Sequence, residues 1–143
     1  MVALAAGKAI KTRVGDVDGV GLLANARVFA GAIAVLTAAG VARAAITGTG
    51  LKCIGYFDET YDNTGGVDNA VTATVRKGVL LCVNSTSTDA ITMADVNNIC
   101  YLVDDQTVAK TNGTNTRSAA GRVFDVTAEG VWVVLGEPAM PTT

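Results

Sequence analysis

The chain has 143 residues, a net charge of −2 and no histidine; half of it is hydrophobic, 17% is charged and only 5% is aromatic. Such a chain is long enough for one domain with a real core, too apolar to be structureless, and without the basic footprint that nucleic acid requires. Lacking histidine, it has neither the usual base for a Ser or Cys nucleophile nor the commonest metal ligand, and it reads as a non-enzyme without metal or cofactor.

From the N-terminus, Val2–Asn25 is Gly-rich and irregular, and predicts an extended arm with at most one short strand. Its basic residues Lys8, Lys11 and Arg13 precede any acid, which suits either a solvated terminus or an arm lying on an acidic partner surface. Nothing at the start reads as a signal peptide, since no basic stretch precedes its Ala-rich run. Over Arg27–Leu36 the Ala content permits a helix, but Gly31 and the β-branched Ile33 and Val35 favour two strands with a kink. Val41–Ile46 is the return strand. The apolar span Val28–Ala42 is shorter than the roughly 20 residues of a membrane helix.

Leu51–Glu59 is apolar at both parities until Asp58, as in a strand covered on both faces. Asp62-Asn63-Thr64-Gly65-Gly66 is a dense turn signal. Ala70–Val83 alternates with period two and is interrupted at Lys77-Gly78, where a glycine in a strand pattern marks a bulge or corner. Asn84–Asp89 is a polar loop. Thr92–Asn98 is the one short helix, with Thr92 and Asp95 spaced as a capping-box variant. Short strands follow over Ile99–Val103, Val108–Lys110, Arg122–Thr127 and Val131–Leu135, the last two joined by an Ala128-Glu129-Gly130 hairpin. That rhythm predicts a barrel or sandwich.

Cys53, Cys82 and Cys100 form no CxxC pair and sit in apolar runs, so they read as buried free thiols of a reducing compartment. Asp104-Asp105 is a turn rather than a cation site, and Asp58, Glu59 and Asp62 form a solvated loop, since a sugar-binding cleft needs more aromatics than this chain has. Trp132 fits a core anchor or an interface hot spot, and the core is preferred. Arg76, Lys77, Arg117 and Arg122 are the remaining candidates for interaction, because Arg pairs bidentately with carboxylates; protection of sheet edges by charge accounts for them equally well. The surplus of Ala and Val beyond one core predicts a homo-oligomer.

The run YDNTGGVDNAVTATVRKGVLLCVNS, then TMADVNNICYLVDDQTVAKTNGTNTR and VFDVTAEGVWVVL, resembles the small capsid cement (decoration) proteins of tailed bacteriophages and prophages. The resemblance spans about Leu51–Leu135 and lies in overall texture rather than in one motif; Ala3–Lys8 resembles the start of that family less specifically. It implies a virion protein, made in the bacterial cytoplasm, that binds the outside of the head across neighbouring major capsid subunits and resists DNA pressure. Its partners would be the major capsid protein and itself, a dimer preferred over a trimer, with no direct contact to nucleic acid or membrane. The alternative is a β-barrel module of the head that binds a ligand or host surface, such as a fibre base or receptor-binding piece. The expected architecture is all-β, jelly-roll-like or a small β-barrel, with one short helix and an extended N-terminal arm: arm 1–25, β domain 26–136, loose tail 137–143. Lys8, Lys11, Arg13, Arg76, Lys77, Arg117 and Arg122 are the candidate capsid or subunit contacts.

Overall fold

The computed structural model describes residues 2–3, 5–9, 15 and 17–135. Alternating apolar residues build twelve short strands: β1 (Val17–Gly21), β2 (Arg27–Val28), β3 (Ile33–Leu36), β4 (Ala42–Ala44), β5 (Lys52–Phe57), β6 (Tyr61–Asp62), β7 (Thr72–Arg76), β8 (Gly78–Asn84), β9 (Ile99–Leu102), β10 (Thr107–Ala109), β11 (Ala119–Thr127) and β12 (Gly130–Leu135). The protein is all-β, and its second half is a small closed barrel.

The first seven strands give a five-stranded sheet in the order β1-β7-β5-β3-β4, with β2 and β6 paired separately. Just past β1, Leu22 makes a parallel bridge to Ala42, which draws the two edges of that sheet toward each other. Strands β8 to β12 close in the order β10-β8-β12-β11-β9 and back to β10. One pairing, β8 with β10, is parallel. The chain passes from sheet to barrel at Lys77-Gly78, the interruption foreseen in the sequence.

Two apolar cores lie on either side of a shared wall. Ala32, Ala34, Ala42, Leu22, Val28, Phe57, Ala73 and Val75 fill the first. Cys82, Cys100, Leu102, Val108, Val123, Val131, Val133 and Leu135 fill the barrel, joined there by Ile33 and Val35 from the sheet. Because successive strand residues face opposite ways, β3 gives Ile33 and Val35 to the barrel core and Ala34 to the first core. Strand β5 also serves both cores, with Cys53 and Tyr56 on the barrel side and Ile54 and Phe57 on the other; a register shift against β3 beside Gly55 switches the parity between the two pairs. Polar ties reinforce the wall: the Ser118 hydroxyl donates to Gly48 O and accepts from Leu51 N, Thr47 Oγ1 donates to Val103 O, and Ile33 N donates to Asp105 O.

The first core begins earlier than the expected boundary at residue 25. Strand β1 pairs with β7 from Val17 to Gly21, and Leu22 is fully buried. A leucine that can be enclosed by both edges of a sheet outweighs the surrounding glycines. Of the expected arm, residues 1, 4, 10–14 and 16 lie outside the described residues, as does the tail 137–143. The short helix foreseen near Thr92 is a single 3-10 turn, Met93–Asp95, closed by a Thr92–Asp95 capping box. A second 3-10 turn, Ser87–Asp89, occupies the polar loop.

Candidate interaction surfaces

The barrel wall formed by β8 and β12 departs from the usual rule that strands alternate apolar-in and polar-out. Leu80 and Cys82 of β8, and Val131, Val133 and Leu135 of β12, point into the core. The opposite parity is apolar too. Val79, Leu81 and Val83 are 43%, 36% and 48% exposed, and Trp132 and Val134 are half-buried beside them. Leu81 lies directly opposite Trp132 and Val79 opposite Val134, close enough on a sheet for side chains to touch. A bulge in β11 between Val123 and Asp125 adds Phe124, 54% exposed, to the margin of the patch.

Trp132 is therefore not the core anchor expected from the sequence. Its register puts it on the outer face, where Nε1 donates to Thr127 Oγ1 at 3.2 Å. The smaller Val131 and Val133 take the interior positions, because a five-stranded barrel has room only for modest side chains along its axis. The outer face itself was missed by sequence reasoning. Its signal was present: VLLCV and VWVVL carry no polar residue at either parity.

The candidate basic residues are dispersed. Lys8 is exposed, while Lys11 and Arg13 lie outside the described residues. Arg76 meets the Asp58 carboxylate at 3.5 Å, and that carboxylate also accepts from Tyr61 Oη at 2.9 Å. Lys77 Nζ donates to Ile54 O. Arg117 Nη1 bridges Asp89 Oδ2 at 3.1 Å and Thr111 O at 3.0 Å, tying the Ser87–Asp89 turn to the loop that precedes β11. Arg122 Nη1 donates to Asn97 Oδ1 at 3.0 Å. Arg76, Lys77, Arg117 and Arg122 thus hold loops to the β framework of their own chain.

The carboxylates do similar work. Asp62 accepts from both the Thr64 hydroxyl and its backbone N–H, and these bonds hold its carboxyl below the ordinary range. Thr111 first, and then Arg117, lowers Asp89 in the same way. Asp95 accepts from Thr92 N at 2.8 Å and lies 3.7 Å from Lys110 Nζ; the Thr92 bond is the main cause of its lowered pKa. Asp104 accepts from the N–H groups of Gln106 and Thr107, the turn expected there.

Cys82 and Cys100 are buried free thiols and Cys53 is half-buried. They converge on the barrel core. Burial, reinforced by Cys53, pushes the Cys82 thiol up to about 12, and burial pushes Cys100 up as well. Neither is a thiolate at neutral pH, so neither is a nucleophile or a ready metal ligand. No family model matches the chain, and neither a curated protein nor a solved structure does.

Proposed function

We propose that this chain is a structural decoration protein that attaches to the outer surface of a phage head and stiffens it. The observation that carries the reading is how the chain enters the fold. Val17 begins β1, an edge strand laddered among the described residues with β7 alone, and its residues Val17 and Gly19 are exposed. The basic segment with Lys8, Lys11 and Arg13 leads directly into that edge. An open edge offers backbone groups to an added strand, and a basic segment beside it suits an acidic protein surface. Attachment through many such modest contacts gains strength from the repeated sites of a capsid lattice. The described remainder is a two-core body whose polar side chains secure its own loops, which suits a cement that must transmit load.

The test is to add purified protein to heads that lack it and to measure occupancy by co-sedimentation, for the whole chain and for a variant without residues 1–14. The whole chain should saturate the heads. The deletion should keep its β-sheet circular dichroism but lose occupancy and the salt dependence of what binding is left. Failure of the whole chain to co-sediment with any tailed-phage head would remove the proposal, and unchanged occupancy of the deletion would remove the arm from it.

A further inference from the structure

We infer that the outward wall of β8 and β12 is the interface of a homodimer, in which a second copy packs face to face with its strands running antiparallel. This does not depend on capsid binding. The five outward side chains of two adjacent strands, Val79, Leu81, Val83, Trp132 and Val134, are all apolar. Single exposed hydrophobics are ordinary; a contiguous patch on two paired strands marks a surface to be covered. Centring a Trp-Leu pair in the patch matches the way interface energy concentrates in a few central anchors.

The charges at the ends of the wall identify the occupant. Arg122 pairs with Val134, which pairs with Val79, so a positive charge borders one end of the patch. The β11–β12 hairpin, where Thr127 pairs with Gly130, carries Glu129 at the other end. The Leu81–Trp132 row lies between them. Two faces can be related by a two-fold axis lying in the interface, either along the strands or across them. An axis along the strands would bring the two Arg122-bearing ends together and leave Glu129 of each copy with no opposite charge. An axis across them, through the Leu81–Trp132 row, sets Arg122 of each copy over Glu129 of the partner subunit and Val79 over its Val83. Leu81 and Trp132 then meet their own counterparts at the centre. Asp125 lies on that central row, where its carboxylate is turned back to accept from Val126 N at 2.8 Å. In that arrangement apolar centre meets apolar centre and opposite charges meet at both ends, while at the margin of the central row each Asp125 faces Asp125 of the partner subunit. Sheet faces packed in this way sit about 10 Å apart with their strands within roughly 30° of alignment.

Sedimentation equilibrium on the full chain at micromolar concentration should give twice the 14.5 kDa chain mass. Leu81→Asp should weaken the dimer by about thirtyfold or more, as loss of a central anchor does. Arg122→Glu alone should weaken it measurably, and Arg122→Glu with Glu129→Arg should restore it. Circular dichroism and the melting profile at fixed concentration show whether each variant is folded; if Leu81→Asp is not, Val79→Glu at the rim of the same row pattern takes its place. A monomeric wild type would overturn the inference, as would a dimer indifferent to both the Leu81 or Val79 variant and the charge swap. A monomer whose capsid occupancy falls with Leu81→Asp would assign the face to the capsid, overturning the dimer while leaving the proposed function standing.

Discussion

Gly121 should be the least replaceable small residue in the barrel. It lies in β11 beside a register shift in the β9 pairing, between Ala119 and Gly121, at φ +153°, and a Cβ there would stand 2.1 Å from Val134 O. Real Cβ contacts essentially never fall under 3.0 Å, so Gly121→Ala must open the β11–β12 pair by about 0.9 Å, the difference between those two distances. The strained backbone costs about 1–3 kcal/mol, and loosening one or two ladder hydrogen bonds adds about 1 kcal/mol each. The total of about 2–5 kcal/mol is a large share of the roughly 5–15 kcal/mol that holds a domain together. It corresponds to about 8–20 °C in Tm at about 4 °C per kcal/mol for a chain of this size. Gly40→Ala is the control, because Gly40 also has a positive φ, +80°, but nothing within 4 Å of its would-be Cβ; it should cost only about 1 kcal/mol. Urea titrations followed by circular dichroism, at one protein concentration so that association does not contribute, measure both. Equal losses within about 0.5 kcal/mol would show that the barrel yields freely at Gly121 and that the steric argument is wrong.

Leu102, fully buried in the barrel, should lose about 2–5 kcal/mol on replacement by Ala, measured by the same titration. Cys82 and Cys100 should resist a thiol reagent at pH 8 until the protein is denatured, with Cys53 reacting first. The folded Cys82 keeps its proton up to about pH 12, whereas the ordinary value is 9.0, so above pH 9 the unfolded state binds fewer protons and stability falls as pH rises. Cys82→Ala should flatten that slope between pH 9 and 12. Asp95 acts in the opposite sense: its lowered pKa contributes stability above pH 3.8 that is lost as pH falls through the folded value. Asp95→Ala should cost about 1 kcal/mol at pH 7 through loss of the cap and should blunt the acid transition seen by circular dichroism.

Much of the β framework was legible in the sequence because its signals are local. Period-two alternation located β7, both-parity apolar residues marked β5 as a strand covered on two sides, and Ala128-Glu129-Gly130 fixed the β11–β12 hairpin. The capping-box spacing of Thr92 and Asp95 was also readable, although the turn it closes is shorter than a helix. What escaped depends on contacts distant in sequence. Leu22 looked like part of a glycine-rich arm because the Ala42 that bridges it lies 20 residues on. Trp132 looked like a core residue because size and hydrophobicity favour burial, yet its parity in β12 is settled by the barrel interior, which Val131 and Val133 fill. The same ambiguity hid the outer wall: where both parities are apolar, periodicity alone does not say which face is covered by the chain itself. The arginines carry contact chemistry in the sequence, and in the fold they also have carbonyls and carboxylates of their own chain within reach, which composition does not reveal.

The wall shared by the two cores also sets a timetable for synthesis. Ile33, Val35, Cys53 and Tyr56 emerge with the first half of the chain, but the core that covers them is completed only when Leu135 in β12 has been made. At about 5–20 residues per second, the 59 residues from Lys77 to Leu135 take roughly 3–12 s, during which one side of β3 and β5 stays exposed. Nascent chains stalled after Arg76 should accordingly be cut readily by protease at the β3–β5 region and recruit chaperones, while chains released beyond Leu135 should be protected there. The half that is made first is thus the half that must wait.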